Sequence, residues 1–223
     1  MTADAHEEFT AQRQRMVARD VVSRGVRSQP VIDALKRVRR ERYVPEHLRE
    51  HAYTDAPLAI GDGQTISQPY IVAYMIEALA LAPGARVLEI GTGSGYAAAV
   101  LAEIAAEVYT IERHPGLADS AAKRLAKDGH LNVHVRHGDG TLGWPEAAPF
   151  DAIVVAACGA EIPRALEQQL AVGGRLVMPV GEQAGEQELV RVTRIDEQEF
   201  RCERLCGVRF VPLIESEAAP REP

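Results

Sequence analysis

Short apolar runs alternate with helical segments along most of the chain from residue 86 onward. The runs predicted to be strands are 87–90, 108–111, 133–136, 150–156 and 175–180, and the predicted helices between them are 96–106, 115–127 and 163–170. Such alternation predicts a parallel sheet with helices on both faces. Two later apolar stretches, 188–195 and 200–210, have no helix between them and are predicted to finish the sheet as an antiparallel pair. The predicted fold class is a doubly wound, mostly parallel, seven-stranded α/β sheet.

The first 68 residues have a different pattern and are predicted to form a largely helical cover. One helix is expected over 7–25 and a shorter one from Pro30, which suits the first position of a helix, to about Arg40. Residues 41–68 contain scattered proline and glycine without a steady period, so they are predicted to be irregular. A further helix is expected to begin near Pro69.

Length and composition indicate one globular domain. The chain has 223 residues, of which 46% are hydrophobic and 26% charged, which is ordinary for a folded protein with one sizeable core. We interpret 1–223 as a single domain, in which 1–68 form the cover, 69–213 the sheet core with the C-terminal strands, and 214–223 an acidic tail.

Charge and cysteine content disfavour several classes of partner. The net charge is −7, from 25 basic and 32 acidic residues, and nucleic-acid binding usually needs clustered positive charge. No apolar run approaches the roughly 20 residues that span a bilayer, and no apolar secretory signal is visible near Met1. Three cysteines without metal-ligand spacing favour a reducing cytoplasm and no metal site.

A glycine-rich loop follows the first predicted core strand and precedes a helix. Gly91, Gly93, Ser94 and Gly95 lie in this loop, where glycines let the backbone approach a ligand closely. Glu112 ends the next strand, where a carboxylate can accept hydrogen bonds from a ribose diol. Together these features predict a site for a nucleoside-containing cofactor.

The spacing of the loop bears on which cofactor it binds. Dinucleotide sites usually have the pattern G-x-G-x-x-G, whereas this loop reads G-x-G-x-G and is preceded by Glu89. An acid there disfavours a pyrophosphate but suits the ammonium group of a methionine moiety. S-adenosylmethionine is therefore the favoured ligand, with a nicotinamide or flavin cofactor and a purely structural turn as alternatives.

A second polar turn is expected at the same edge of the sheet. The run Gly138-Asp139-Gly140 follows the third core strand, and ligands of open α/β sheets bind along the carboxyl edge. Asp139 is a candidate for the adenine amine, with Gly140 close to it. The alternative is an ordinary turn, since Gly and Asp both favour turns.

Several runs resemble one known family. The most specific is Gln64-Thr65-Ile66-Ser67-Gln68-Pro69-Tyr70, which Ala52–Leu58 precedes. The later runs are, in order, Leu88–Tyr96, Val108–Arg113, Gly138–Gly140, Gly143–Pro145, Ala148–Ile153, Gly173–Leu176, Pro179–Gly181 and Val208–Leu213. This pattern, over roughly residues 16–213, resembles protein-L-isoaspartate (D-aspartate) O-methyltransferases. The resemblance implies a Rossmann-like class I S-adenosylmethionine-dependent methyltransferase fold.

The resemblance also implies a reaction. Members of the family transfer a methyl group from S-adenosylmethionine, leaving S-adenosyl-L-homocysteine, to the α-carboxylate of L-isoaspartyl residues in damaged proteins and peptides, and they also act on D-aspartyl residues. The ester then closes to a succinimide that hydrolyses partly to aspartate. A carboxylate is ionised at neutral pH because its pKa is about 3 to 4, so no general base is required.

Site residues follow from the resemblance position by position. Ser67 matches the active-site serine and is expected to hold the attacking carboxylate, although a serine before Pro69 could instead cap the helix. Thr65 and Ile66 are expected to touch cofactor or substrate, and Gln64 is assigned to the substrate site or to orienting the loop. The segment Val208-Arg209-Phe210-Val211 is expected to offer a strand edge to the substrate backbone, or else to be an ordinary core strand.

The sequence leaves other functions open besides repair methylation. A relative that methylates one aspartate of a ribosomal peptide would have the same motifs. A non-catalytic adaptor would be expected to have lost the glycine loop or Ser67, and a nicotinamide oxidoreductase would be expected to have the longer glycine spacing. The favoured hypothesis is a monomeric cytoplasmic repair enzyme that acts on isoaspartyl chains and binds neither nucleic acid nor membrane.

Overall fold

Nine strands and six α-helices make up the regular structure in the computed structural model, which describes residues 3–182 and 185–215. The strands are β1 (Leu58–Gly61), β2 (Gln64–Ile66), β3 (Arg86–Ile90), β4 (Glu107–Glu112), β5 (Val133–His137), β6 (Phe150–Val155), β7 (Leu170–Gly181), β8 (Gln187–Arg194) and β9 (Phe200–Val208). The helices are α1 (Ala3–Met16), α2 (Gln29–Arg37), α3 (Pro69–Leu79), α4 (Tyr96–Ala102), α5 (Pro115–Lys127) and α6 (Arg164–Gln169).

Seven of the strands form one sheet in the order β5-β4-β3-β6-β7-β8-β9. Strands β3 to β7 pair in parallel, and β8 and β9 complete the sheet in antiparallel fashion. The predicted fold class and the predicted antiparallel end are thus confirmed. The chain runs from β3 out to β5 and then crosses back to β6 on the other side of β3. The strand order therefore reverses between β3 and β6, which leaves a crevice at their carboxyl ends, where ligands of such sheets bind.

The two faces of the sheet pack into two hydrophobic clusters. Successive residues of a strand point to opposite faces, and in β3 Val87 joins the cluster below α2, α3 and α4 while Leu88 joins the opposite cluster. Ala152 and Ile153 of β6 divide in the same way. Core strands buried on both faces explain why the sequence shows continuous apolar runs there.

Helix bounds follow the sequence closely in some places and not in others. Helix α5 has the predicted bounds, and α1 continues through a π-helical stretch, Val17–Val22, before Gly25 ends it with φ of +106°. The helix predicted over 96–106 ends at Ala102, because the amide of Ala106 donates to the carbonyl of Ala85 beside the sheet instead of continuing the helix.

The prediction that residues 41–68 are irregular is wrong for the last part of that segment. Strands β1 and β2 form an antiparallel hairpin around Asp62 and Gly63, whose φ angles are +49° and +69°. Two central residues with positive φ are typical of a type I′ turn, for which Asp-Gly is a preferred sequence. That dipeptide was the available signal for the hairpin.

Most of the predicted acidic tail, residues 216–223, lies outside the described residues. Within the described ranges, no helix has the length and apolar character needed to cross a membrane.

Candidate active site

A cleft opens at the carboxyl ends of β3 and β6, at the crossover of the sheet. Its empty volume is about 830 Å³ up to the open mouth. Of the residues singled out from the sequence, it is lined by Gln64, Thr65, Ile66, Ser67, Gly91, Gly93, Ser94, Glu112, Gly140 and Val211. We call it the first cleft.

The glycine loop forms one wall of the first cleft and depends on a backbone that other residues rarely adopt. The φ angles of Gly91 and Gly93 are +94° and +53°, in the left-handed region that favours glycine. The amide of Gly91 donates to the carbonyl of Ile111 at 2.8 Å. This bond ties the start of the loop to the end of β4.

Glu112 holds the same loop from the neighbouring strand. Its carboxylate oxygens accept hydrogen bonds from the amides of Gly93, at 2.8 Å, and His114, at 3.0 Å. The side chain is almost fully buried but still lines the first cleft. Because each carboxylate oxygen has two lone pairs, Glu112 can hold the loop and accept a further hydrogen bond from a ligand.

Gly95 does not line the first cleft. It precedes α4 with φ of +89°, and a Cβ atom at this position would lie 3.3 Å from Cδ1 of Leu125 in α5. The third glycine of the loop therefore allows α4 and α5 to pack closely. Its predicted contact with the cofactor stays a prediction.

Glu89 lies beneath the loop and is 1% exposed. It accepts a hydrogen bond from the Thr110 hydroxyl at 2.6 Å, and that hydroxyl is 2.6 Å from the hydroxyl of Thr92 in the loop. The other carboxyl oxygen, Oε1, is buried without a partner. Burial, and secondarily the nearby charge of Glu112, raises the pKa of Glu89 to about 8, although the Thr110 bond opposes the shift.

This position bears on the expected role of Glu89. The carboxyl group is not part of the cleft wall, so it supports the loop through the two threonine hydroxyls. Direct contact between Glu89 and the methionine ammonium remains a prediction.

Asp139 and Gly140 follow β5 at the same edge. One oxygen of Asp139 accepts hydrogen bonds from the amide and hydroxyl of Thr141, at 2.8 and 2.7 Å. Asp139 is not among the residues of the cleft wall, whereas Gly140 is. A Cβ atom on Gly140 would lie 2.2 Å from Cγ2 of Ile90, so only glycine fits this close approach. The adenine contact of Asp139 also stays a prediction.

A second cleft, with an empty volume of about 1270 Å³, adjoins the first. Val208, Arg209 and Phe210 line the second cleft only. The residues common to both clefts are Thr65, Ser67, Ala156 and Val211. Ser67 therefore lies at the junction, and the structure brings the predicted substrate residues to one groove beside the predicted cofactor residues, except Gln64, which lines only the first cleft.

The structure argues against the purely structural alternatives for Ser67 and the 208–211 segment, while their contacts with a substrate stay predictions. The N-cap of α3 is Gln68, and no side chain caps that helix. The amide of Phe210 donates to the Gln187 side chain at 2.7 Å, and Arg209 is exposed. The segment is thus a pinned, partly exposed strand end and not a core strand.

Sequence reasoning missed several residues of the two clefts. Ala156 and Ala157, which follow β6, line the first cleft, and their place after a core strand at the crossover was the available signal. Arg24 and Tyr70 line the second cleft. No local pattern marks Arg24, because it reaches the groove only through tertiary packing.

The two clefts lie side by side at the carboxyl edge of the sheet, and comparisons with known proteins identify the family of the chain. The sequence model of the protein-L-isoaspartate(D-aspartate) O-methyltransferase family matches residues 11–218. This chain belongs to that family. The recognition made from the Gln64–Tyr70 motif is confirmed.

Individual relatives in the family are similar over nearly the whole chain. Protein-L-isoaspartate O-methyltransferase 1 of Rhodopseudomonas palustris strain HaA2 is 60% identical over 215 residues, which cover 96% of this chain and 88% of the relative. Protein-L-isoaspartate O-methyltransferase 2 of Marinobacter nauticus is 57% identical, covering 93% of this chain and 95% of that protein.

A solved structure of the same family supports the fold. A Plasmodium falciparum protein assigned as a protein-L-isoaspartate O-methyltransferase, in complex with S-adenosyl-L-homocysteine, superposes with a TM-score of 0.81 at 27% identity. The match covers 92% of this chain and 99% of the other. The seven-stranded sheet with its antiparallel end is thus the fold of this methyltransferase family.

Proposed function

We propose that this protein transfers a methyl group from S-adenosylmethionine to the free α-carboxylate of L-isoaspartyl residues, and to the side-chain carboxylate of D-aspartyl residues, in damaged proteins and peptides. The observation that carries this proposal is the meeting of the two clefts at Ser67. The ester would close to a succinimide with loss of methanol, and the succinimide hydrolyses in part to aspartate, so the enzyme acts in protein repair. The direct test is methyl transfer to matched isoaspartyl and aspartyl peptides.

The residues of the first cleft fit S-adenosylmethionine. Gly91, Gly93 and Ser94 bring the loop backbone to the cleft wall, and the positive φ of both glycines suits a close approach of backbone to ligand. Glu112 offers carboxylate oxygens to a ribose diol, and Ile90 and Ile111 offer apolar surface to a purine ring. When bound, S-adenosylmethionine supplies a methyl group on a positively charged sulfur.

Ser67 is placed to orient the substrate between the clefts. Its hydroxyl can donate to one oxygen of the isoaspartyl carboxylate and leave the other oxygen free to attack. The substrate carboxylate is already ionised at neutral pH, so the protein has to remove no proton. Its contribution is orientation, and well-oriented reacting groups gain about 7–11 kcal/mol.

The segment beside Ser67 is held by backbone hydrogen bonds. Ala156 and Val211 line the junction beside Ser67. The carbonyl of Val211 accepts from the amide of Cys158 at 2.8 Å, and the amide of Leu213 donates to the carbonyl of Cys158 at 2.7 Å, which fixes this segment against the end of β6. A fixed junction supports the orientation of the substrate carboxylate toward the methyl donor.

Replacing Ser67 with alanine is expected to lower kcat by about 10- to 100-fold, the value of one hydrogen bond to a charged group. S-adenosyl-L-homocysteine affinity, measured by calorimetry, should change little, because the glycine loop and Glu112 remain intact. Ser67→Thr, which keeps the hydroxyl, should retain more activity than Ser67→Ala. A loss of affinity with unchanged kcat would contradict this role.

We also infer that the enzyme works as a monomer in the cytoplasm, independently of metal, nucleic acid and membrane. Its three cysteines, Cys158, Cys202 and Cys206, are free thiols, which supports a reducing compartment. Within residues 3–182 and 185–215, no group of three or more His, Cys, Asp or Glu side chains is arranged to hold a metal ion.

A further inference from the structure

The second cleft is positively charged although the protein as a whole carries a net charge of −7. Among the described residues that line it, the charged side chains are Arg24 and Arg209, and none is acidic. The remaining lining is apolar or uncharged, including Tyr70, Ile71 and Phe210. A groove with charges of one sign between low-dielectric walls focuses the electrostatic field on what enters it.

Arg24 is fixed in place by two kinds of contact. Its guanidinium carbon lies 3.4 Å from the centre of the Tyr70 ring, which stacks on Tyr74 with ring centres 5.8 Å apart. Its Nη1 atom donates to Asp55 at 2.7 Å. The side chain of Arg24 is nevertheless 45% exposed, so a held guanidinium faces the groove.

Asp55 offsets part of the charge of Arg24, but it does not lie in the groove wall. Its oxygens also accept from the amide of Tyr70, at 3.1 Å, and from the Gln68 side chain, at 3.4 Å. It is 17% exposed in its side chain and is not among the residues of the groove wall. The ligand-facing member of the ion pair is Arg24.

Arg209 supplies the second charge from another element. It follows β9 in the segment that also carries Val208 and Phe210, and it is exposed. The Gln187 side chain holds Phe210 by donating to its carbonyl at 3.3 Å and accepting from its amide at 2.7 Å. The backbone that presents Arg209 is therefore fixed.

We propose that Arg24 and Arg209 make this methyltransferase select isoaspartyl sites that have a carboxylate side chain within a few residues, and disfavour sites flanked by lysine or arginine. The inference rests on the proposed function, since it assigns the second cleft to the chain around the damaged residue. Neither arginine takes part in methyl transfer; both read the charge of the flanking sequence.

The test uses isoaspartyl peptides of one sequence with Glu, Gln or Lys at a flanking position, on either side of the isoaspartyl residue. On at least one side, kcat/KM should be about three- to tenfold higher for Glu than for Lys, the range expected for exposed charges that attract one peptide and repel the other. Raising the ionic strength from about 0.1 to about 1 M shortens the Debye length from about 10 to about 3 Å, and should shrink the difference.

Variants locate the effect. Arg209→Gln and Arg24→Gln should each lower the Glu-to-Lys ratio, the double variant should bring it close to one, and Arg24→Lys should keep most of it. Arg204→Gln is the matched control, because Arg204 is 80% exposed on β9, pairs with Glu188 and does not line the groove.

The outcomes separate this proposal from the one it rests on. Equal kcat/KM for Glu and Lys peptides on both sides, or a preference that survives the double variant, would overturn the charge-reading proposal while leaving the methyltransferase assignment in place. Failure of the unaltered enzyme to methylate any of the isoaspartyl peptides would overturn both.

Discussion

Replacing Glu89 with glutamine is expected to remove much of the pH dependence of the protein's stability between about pH 5 and about pH 8. The carboxyl group is buried and its pKa is raised from 4.5 to about 8. Between these values the folded protein holds a proton on Glu89 that the unfolded chain has lost. The free energy of unfolding therefore falls as the pH rises, by about 1.4 kcal/mol per pH unit.

The direction of this effect follows from the raised pKa. Below about pH 4.5 Glu89 is protonated in both the folded and the unfolded protein, so it does not lower the free energy of unfolding. Above about pH 8 it is ionised in both, and the free energy of unfolding is lowered by the full cost of burying the charge. Since glutamine does not titrate, the stability of Glu89→Gln relative to the unaltered protein should rise by about 4 kcal/mol from about pH 5 to about pH 8.

Urea unfolding at several pH values measures this difference directly. Glu46→Gln is the matched control, because the Glu46 side chain is 88% exposed, and its stability difference should stay nearly flat over the same range. A Glu89→Gln difference that is equally flat would show that Glu89 is ionised in the folded protein, and the view of a protonated acid beneath the loop would be wrong.

Replacing Glu112 with alanine is expected to weaken binding of S-adenosyl-L-homocysteine by about 100-fold or more. The substitution removes a carboxylate that can accept from two ribose hydroxyls, and each hydrogen bond to a charged group contributes about 1.5–3 kcal/mol. It also leaves the amides of Gly93 and His114 without the acceptor they have now. The substitution would therefore remove both a support of the glycine loop and a hydrogen-bond partner of the ligand.

Titration calorimetry tests this, with Glu107→Ala as the control. Glu107 lies at the opposite end of β4, where it accepts from Tyr109 and Arg86, so its loss should leave the affinity unchanged. Equal weakening in both variants would mean that β4 is generally sensitive to substitution. An unchanged affinity in Glu112→Ala would place the ribose elsewhere.

Some elements could be predicted from the sequence because their signals are local. Helix α5 has Pro115 at its first position and Gly129, with φ of +87°, just beyond its end, so both ends are marked in the chain. The sequence predicts too long a helix α4, because alanines continue past Ala102. The hydrogen bond from the amide of Ala106 to the carbonyl of Ala85, which draws the chain away from the helix, is a tertiary contact that the local sequence does not mark. The hairpin of β1 and β2 was missed because its strands are short.

The candidate site divides along the same line. The glycine loop and Glu112 could be found because a loop after one strand and an acid at the end of the next meet at one edge of a parallel sheet. Glu89 is buried below the loop, where it is hydrogen-bonded to Thr110, and Thr110 is hydrogen-bonded to Thr92. The sequence does not mark these contacts. Arg24 and Arg209 are 185 positions apart in the sequence and line the same groove only because of tertiary packing.

The central claim is that an isoaspartyl carboxylate in the second cleft meets a methyl donor in the first cleft at Ser67. Transfer of labelled methyl groups from S-adenosylmethionine to two peptides that differ only in an isoaspartyl or aspartyl linkage tests it most directly. We expect base-labile methyl ester on the isoaspartyl peptide and only background label on its twin. Equal labelling of the two peptides, or no labelling by protein that binds S-adenosyl-L-homocysteine, would contradict it.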